Sequence, residues 1–348
     1  MKGTMKGIRP AYLLIALIVV AAMGAAAVFS FQLGLSMGGG TPSPPLQVQP
    51  QVRHFTLIVQ EHPVRVSDDV VFTAWTFNGT IPGPTIEVNE GDTVQVTLIN
   101  LANNTEAHSV DIHAALATVD NEFRNIPPGQ TWSYSFVAQH PGVFAYHCEG
   151  SPVYLHVHNG MFGAIIVRPT RSPLPPVDRE MVIIQSELYL NKTRNPDGTY
   201  GWDAEAILHN AQPTMYLFNG HQFPQTITVR QNERVRFYLL NIGPNKFSAF
   251  HLIGGMWTDA WHNGNPSNHG VGLQTVTAGP TDTWAVDYHF PKVGVNVLVT
   301  HALGDAFMGA LLKINVVPST TTSGIGYGLT GLALLPCPAS CSGPGKRL

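Results

Sequence analysis

The chain has 348 residues, enough for about two domains of ~150 residues, each with its own core. Only 12% of the residues are Asp, Glu, Lys or Arg, and the formal net charge is −3 without a long run of either sign. This composition gives no basis for nucleic acid as a partner. The 34 glycines and 27 prolines favour short strands and turns over long amphipathic helices, and the 15 histidines are the outlier.

The N-terminal segment 1–35 indicates export from the cytoplasm. Three positive charges within its first nine residues precede an apolar run. Because this run is near the ~20 residues that span a bilayer, a cleaved signal peptide and a retained membrane anchor are both open. Residues 36–51 are rich in Gly, Ser and Pro and are predicted to form a flexible tether. The rest of the chain is expected to work in the periplasm or another extracytoplasmic space.

An internal repeat divides the rest of the chain into two copies. The tripeptide Phe-Asn-Gly occurs at 77–79 and again at 218–220, and further matches follow at the same offset. Apolar residues alternate with period two in each copy, at Val94, Val96 and Leu98 and at Val235, Phe237 and Leu239. This alternation is typical of strands with one face in a core. We therefore predict an all-β chain of two tandem Greek-key β-sandwiches.

The predicted domains span 52–170 and 177–317, with a Pro-rich connector between them. The remaining residues, 318–348, form a low-complexity tail that contains Cys337 and Cys341. A short disulfide and plain disorder are both open for this tail. Three cysteines in all are too few for a disulfide scaffold, so the third cysteine needs an explanation of its own.

That third cysteine, Cys148, lies where the two copies differ. The first copy has His147 and Cys148 at the positions where the second has Val299 and Thr300. Only the first domain can therefore hold a thiolate metal site. Because adjacent residues of a strand face opposite sides, His147 and Cys148 are predicted to serve two different metals.

A soft metal site is predicted around Cys148. Two imidazoles, a thiolate and a weak thioether form the ligand set of an electron-transfer copper, since sulfur stabilises the reduced ion. The residues that supply this set are His108, Cys148, His156 and Met161. His158 is expected not to be a ligand, because the set is already complete, although strand alternation would point it the same way as His156.

This pattern resembles the copper nitrite reductases, members of the wider group of multicopper oxidases and cupredoxins. The resemblance covers about residues 70–317. It implies that both sandwiches are cupredoxin-like and that the first copper is of type 1. The loop from Cys148 to His156 is a residue shorter than the family pattern and lacks its usual Pro-Pro, so a blue and a green type 1 copper are both open.

The resemblance also implies a type 2 copper, and hence two coppers per chain. His113 and His147 come from the first domain, and His301 lies in a segment similar to the one that carries the family's second-domain copper histidine. Three neutral imidazoles leave an open position for water or substrate and would suit copper or zinc alike. The redox copper bound by the next residue, Cys148, favours copper.

Three further residues take their expected roles from the resemblance. It implies that Asp111 hydrogen-bonds bound nitrite, that His251 relays protons and that Ile253 shapes the pocket. Reduction of nitrite to nitric oxide consumes one electron and two protons and releases water, so acid–base groups beside the metal are needed. The electron is expected to pass from the type 1 copper through Cys148 and His147 to the type 2 copper.

Two alternatives fit the residues less well. A laccase-like two-domain oxidase reduces oxygen at three clustered coppers and needs about eight histidines, mostly in His-x-His pairs. Here Glu149 follows the cysteine, and His301 has no histidine two places away. An electron-carrying cupredoxin with a structural second domain would leave the histidines of the type 2 set without a role.

The resemblance finally implies a homotrimer. His113 and His147 belong to the first domain and His301 to the second, so the type 2 copper must lie where two domains meet. Head-to-tail contacts in a ring let domain two of one subunit complete the site on domain one of the next. The electron donor is expected to be a small cupredoxin or a cytochrome c, which the sequence does not distinguish.

Overall fold

The computed structural model of the protein describes residues 49–222 and 225–319. The predicted export segment, nearly all of the tether, and the tail beyond Ser319 with Cys337 and Cys341 lie outside the described residues. Within the part of the chain that is described, no helix is long and apolar enough to cross a membrane.

The described residues form short strands connected by turns. The strands of the first half are β1 (Val52–Arg65), β2 (Val71–Phe77), β3 (Ile86–Asn89), β4 (Thr93–Asn100), β5 (Asp111–Ile112), β6 (Thr131–Val137), β7 (Gly142–His147) and β8 (Phe162–Arg168). Those of the second half are β9 (Arg179–Leu188), β10 (Leu190–Arg194), β11 (Tyr200–Trp202), β12 (Met215–Phe218), β13 (Thr226–Arg230), β14 (Arg234–Asn241), β15 (Ser248–Ile253), β16 (Trp257–His262), β17 (His269–Leu273), β18 (Thr275–Ala278), β19 (Thr283–His289), β20 (Gly294–Thr300) and β21 (Leu311–Val317). The helices are α1 (Val153–His158), α2 (Leu303–Phe307) and a π-helical turn (Ala206–Asn210).

The first sandwich packs a sheet in the order β10-β11-β2-β1-β4-β6 against a sheet in the order β3-β8-β7-β5. β1 pairs antiparallel with β2 but parallel with β4, and β3 pairs parallel with β8, so the chain crosses between sheets as in a Greek key. Along β4, Val94, Val96 and Leu98 are buried in the core, while the residues between them are partly exposed. The predicted alternation is therefore confirmed for this strand.

The second sandwich packs a sheet in the order β12-β9-β14-β19-β16-β17 against a sheet in the order β13-β21-β20-β15-β18. Val235, Phe237 and Leu239 of β14 lie in its core, as predicted. The structure thus confirms an all-β fold of two sandwiches. β10 and β11, which belong to the second sequence copy, extend the first sandwich through the pairing of Tyr200 with Phe72.

The two sandwiches pack directly against each other. The face of β14 that points away from its own core is also buried, and Tyr238 packs there with Val143 and Ile166 of the first sandwich. Thr283 Oγ1 donates a hydrogen bond to the carbonyl oxygen of Val143 (2.7 Å), and the Val143 amide donates to the carbonyl oxygen of Asn263 (2.8 Å). Both sandwiches therefore belong to one compact unit of the chain.

Candidate metal centres

Two groups of side chains in the first sandwich bring possible metal-binding atoms within 4.8 Å of one another. The thiolate cluster consists of His108, Cys148 and His156. The imidazole cluster consists of Asp111, His113 and His147. His147 is the last residue of β7 and Cys148 follows it directly, so two adjacent residues contribute to different clusters.

The thiolate cluster is compact and fully enclosed. Cys148 Sγ lies 3.2 Å from His156 Nδ1 and 3.8 Å from His108 Nδ1, and the two Nδ1 atoms are 3.1 Å apart. Met161 is 0% exposed, and its carbonyl oxygen accepts a hydrogen bond from the Cys148 amide (3.0 Å). The structure therefore brings the donor atoms of His108, Cys148 and His156 together and places the backbone of Met161 beside that of Cys148.

The sulfur of Cys148 lies in a pocket that favours a thiolate only beside a cation. Burial raises the pKa of the Cys148 thiol to about 11, although the amides of Ser109 and Gly150 both donate hydrogen bonds to Sγ (3.3 Å each). A metal ion that displaces the thiol proton reverses this preference, because a thiolate ligand is deprotonated outright. The two amides then stabilise the negative charge on sulfur.

The two imidazoles of the thiolate cluster are neutral and turned toward the sulfur. His108 Nε2 lies 3.1 Å from Oε1 of Glu61, and because an ionised carboxylate only accepts, Nε2 carries the proton and Nδ1 the lone pair. Burial and then the neighbouring His108 lower the pKa of His156 to about 3. The indole ring of Trp75 contacts the edge of the His156 ring, with 4.6 Å between centroids. Metal ligation requires neutral imidazoles of this kind.

The segment that carries His156 differs from the prediction. Strand alternation for His156 and His158 was wrong, because these residues lie in helix α1, where positions two apart point about 200° away from each other. His158 Nε2 accepts a hydrogen bond from the amide of Tyr189 (2.8 Å), and Nδ1 donates to Oδ1 of Asn159 (2.9 Å). Both ring nitrogens of His158 are thus used within the protein, which leaves neither one for a metal.

The imidazole cluster lies at the edge of the first sandwich. The Nε2 atoms of His113 and His147 are 3.0 Å apart, and His147 Nδ1 donates to the carbonyl oxygen of Cys148 (3.0 Å), so the lone pair of His147 faces His113. Asp111 pairs with His147 across β5 and β7, and its Oδ2 lies 3.7 Å from His113 Nε2. Burial and then His147 lower the pKa of His113 to about 4, whereas burial raises the pKa of Asp111.

The residues predicted from the second domain form a separate group. β15 carries His251 and Ile253, and His301 follows β20. The rings of His251 and His301 meet edge to face with 5.1 Å between centroids, and His251 Nδ1 donates to the carbonyl oxygen of Gln274. Ile253 is 45% exposed. Among the described residues of one chain, His301 joins neither cluster, so the third predicted type 2 ligand stands apart from the other two.

The donor atoms present fit copper at both clusters. In the thiolate cluster, one sulfur and two imidazole nitrogens face a common point away from water, which is the soft donor set that copper prefers. In the imidazole cluster, two Nε2 atoms at 3.0 Å face each other with the opposite nitrogen of His147 already committed to a carbonyl oxygen. That set accepts copper or zinc.

Two residues around the thiolate cluster were missed from the sequence. Glu61 precedes His108 by 47 positions, and Trp75 lies on another strand, so neither belongs to a short motif. The pairing of β1 with β2 and β4 brings both to the histidines. No local signal in the sequence could have found them.

A pair of Greek-key sandwiches with a buried Cys-His-His cluster defines a copper protein of the cupredoxin class. The multicopper oxidase family matches residues 58–172. A copper-containing nitrite reductase from Neisseria meningitidis is 35% identical over 74% of this chain and 67% of its own length. One from Pseudomonas chlororaphis is 33% identical over 77% of this chain and 79% of its own length.

Solved structures agree with these relatives. A copper nitrite reductase from Nitrosomonas europaea matches with a TM-score of 0.70 and 39% identity, over 77% of this chain and 93% of that one. A copper-containing nitrite reductase from Thermus scotoductus matches with a TM-score of 0.68 and 35% identity, over 76% of this chain and 62% of that one. The chain belongs to the copper-containing nitrite reductases, and its predicted cupredoxin-like fold is confirmed.

Proposed function

We propose that this enzyme reduces nitrite to nitric oxide with one electron and two protons, using two coppers per chain. The observation that carries the proposal is the adjacency of His147 and Cys148, whose side chains belong to two different clusters. An electron-carrying site and a site with room for substrate are thus joined by a single peptide bond. A simple electron carrier would have no use for the second of these sites.

The proposed ligands of the first, type 1 copper are His108, Cys148, His156 and Met161. Those proposed for the second, type 2 copper are His113, His147 and His301. Copper at these positions would supply a one-electron carrier at the first set and a Lewis-acidic binding point for nitrite at the second.

The proposed electron route runs through the chain itself. Covalent bonds connect Cys148 Sγ through the backbone to the ring of His147. The hydrogen bond from His147 Nδ1 to the carbonyl oxygen of Cys148 (3.0 Å) closes a second, shorter connection between the same two residues. The same bond holds the ring of His147 with Nε2 toward His113.

Asp111 and His251 are proposed to handle the two protons. Burial raises the pKa of Asp111, which favours a carboxyl that can hold and donate a proton beside the imidazole cluster. His251 donates from Nδ1 to the carbonyl oxygen of Gln274, so its other nitrogen, Nε2, is the one that would exchange a proton with substrate. Ile253, half exposed beside His251, would form an apolar wall of the pocket.

We further propose that the complete type 2 site forms between subunits of a homotrimer. His113 and His301 are both exposed on the single chain, and His301 joins neither cluster of that chain. A ring of head-to-tail contacts would bring His301 of one subunit to the imidazole cluster of the next. Copper would then bind only the assembled form and stabilise it.

The proposed location is the periplasm or another extracytoplasmic space, with segment 1–35 either cleaved or retained as an anchor. The support is the basic start and apolar run of that segment. A small cupredoxin or a cytochrome c is proposed as the electron donor.

The test measures copper and zinc per chain together with nitric oxide formation from nitrite. Two coppers per chain and nitrite-dependent nitric oxide are expected. Four coppers with oxygen reduction would replace the proposal with an oxidase, and one copper without turnover would replace it with an electron carrier. Zinc at half of the sites would contradict the type 2 assignment.

A further inference from the structure

Glu61 lies on the far side of His108 from the sulfur and is held by an unusual number of donors. Its side chain, only 9% exposed, accepts hydrogen bonds from the amide of Thr105 (2.9 and 3.0 Å to the two oxygens), the hydroxyl of Thr105 (2.7 Å), the amide of Glu106 (3.0 Å) and Nε2 of His108 (3.1 Å). Four donor groups thus converge on one side chain. Every polar neighbour of these two oxygens is a hydrogen-bond donor.

Such a site is built for a carboxylate. An ionised carboxylate offers two acceptor oxygens and no donor, whereas an amide would turn an NH₂ group against one set of donors. These hydrogen bonds keep the pKa of Glu61 below its usual value, although burial works in the opposite direction. The donor set therefore favours a carboxylate charge next to His108.

The two histidines of the thiolate cluster differ in this respect. His108 donates from Nε2 to Glu61, which fixes the tautomer with the lone pair on Nδ1. In the described residues, no hydrogen bond ends on Nε2 of His156, and the ring of His156 packs against that of Trp75. Glu61 is thus hydrogen-bonded to only one of the two imidazoles.

We infer that Glu61 is a positioning residue that locks the tautomer of His108 and lowers the reduction potential of the copper held there. The inference rests on the proposed type 1 site. A carboxylate behind an imidazole ligand makes that ligand more basic, and a nearby negative charge favours the more positive, oxidised ion. Both effects lower the tendency of the copper to accept an electron.

Glu61 also has a purely structural role that the experiment must separate from this one. Its bonds to Thr105 and Glu106 hold the loop that leads to His108. Thr105→Val removes the hydroxyl donor but keeps the carboxylate beside His108. Glu106→Gln removes a negative charge from the same loop, but from an exposed side chain that salt and water screen.

The test compares Glu61→Gln with these two controls by redox titration of the visible copper band and by copper affinity. We expect Glu61→Gln to favour the reduced ion about tenfold, which for one electron is a rise of about 59 mV. Copper affinity should fall by about 10–100-fold. Thr105→Val and Glu106→Gln should shift the potential much less.

A second measurement uses wild-type protein without copper, so that it does not depend on how the variant folds. Nitrogen-15 NMR should find the His108 proton on Nε2. A proton on Nδ1, or an unchanged potential in Glu61→Gln, would overturn the role of Glu61. A wild-type protein that binds copper without any thiolate band would instead overturn the proposed type 1 site, even if the tautomer of His108 is as expected.

Discussion

The two sequence copies share a backbone at the very place where only the first holds a thiolate cluster. In the first copy, the amide of Ser109 donates to Cys148 Sγ (3.3 Å). In the second, the amide of Ala249 donates to Thr300 Oγ1 (3.0 Å). The hydroxyl of Thr300 therefore occupies the place of the thiol and satisfies the same backbone donor.

The other proposed type 1 ligands also have non-ligating residues at the corresponding places in the second copy. The cysteine amide bonds to the carbonyl oxygen of Met161 (3.0 Å), and the threonine amide bonds to that of Ala310 (3.1 Å). Ser248 stands where the first copy has His108, and its hydroxyl donates to Gln185 instead (2.8 Å). The fold therefore does not need these metal-binding side chains, because the backbone hydrogen bonds that shape the site are present in both copies.

The two proposed acid–base residues also lie at corresponding places in the two copies. Asp111 pairs with His147 across β5 and β7, and His251 pairs with Val299 across β15 and β20. Asp111 and His251 therefore occupy corresponding strand positions in the two copies. A pocket assembled from both copies would receive one of the two proposed acid–base groups from each copy.

Replacing Cys148, the residue at which the two copies differ most, should have the largest effect on colour and turnover. Cys148→Ser should abolish the visible thiolate-to-copper absorption and donor-driven turnover, while copper falls from two to one per chain. Absorption spectroscopy and metal analysis check this outcome. Retention of both colour and turnover would refute the assignment of Cys148.

Thr300→Cys is the matched control in the other copy. It places a thiol at the corresponding position, but Ser248 and Ala310 supply neither imidazole nor thioether there. No new thiolate-to-copper band should appear. A second band would show that the second copy retains a usable site.

His113 and His301 are the proposed type 2 ligands that come from different domains. His113→Ala and His301→Ala should each be inactive, yet a mixture of equal amounts, refolded together, should regain about one quarter of the wild-type sites by random assortment in a ring. Turnover of the mixture measures this recovery. If the mixture stays inactive although its subunits are shown to have exchanged, both histidines must belong to a site within one chain.

Asp111→Asn should have a smaller but still large effect. Both coppers should remain, and turnover should fall by about 10²–10⁴-fold with an altered pH–rate profile, because general acid–base groups contribute on that scale. Asp120→Asn, at an exposed position of the same domain, is the control and should leave the rate unchanged. An unchanged rate and profile for Asp111→Asn would make that residue structural.

The sequence predicts those features that depend on residue type and on the spacing of apolar residues along a strand. Alternation identified β4, and it placed His147 and Cys148 on opposite sides, because both inferences need only residues that are close in the chain. β14 shows the limit of this reasoning. Arg236 and Tyr238 are buried along with the core residues that alternate with them, since the first sandwich covers that face. Period alone does not reveal a second neighbour.

Helix α1 and Glu61 show why the rest of the site was missed. Six residues are too few for a helical pattern to stand out, and α1 is fixed in part from outside, by a hydrogen bond from the Trp75 amide to the carbonyl oxygen of Asn159 (2.9 Å). Glu61 reaches His108 only through strand pairing across 47 positions. Contacts of this range depend on register, which a single sequence does not give.

Two corresponding asparagines allow the finest comparison of the copies. In the first copy, Asn100 Nδ2 donates to the carbonyl oxygens of Glu106 (2.9 Å) and Ile126 (3.0 Å). In the second, Asn241 Nδ2 donates to those of Lys246 (2.7 Å) and Ala278 (3.1 Å). Both side chains are buried, and each fastens the loop that follows its strand.

Removing the hydrogen bonds of either asparagine should have a smaller effect than the changes above. Asn100→Ala and Asn241→Ala should each lower the free energy of unfolding by about 1–3 kcal/mol, because each removes two hydrogen bonds from a buried side-chain amide to backbone carbonyl oxygens. Denaturant titration of the copper-free protein should give the larger loss for Asn100→Ala, because Asn100 Oδ1 also accepts a hydrogen bond from Asn104 Nδ2 (2.7 Å). Only Asn100→Ala should also shift the thiolate-to-copper band, since the loop it fastens leads to His108, whereas the corresponding loop in the second copy leads to Ser248. Equal spectral shifts in both variants would mean that the two copies are coupled more closely than their separate hydrogen bonds indicate. The absence of a shift in Asn100→Ala would mean that Glu61 and Cys148 hold His108 in place without this loop.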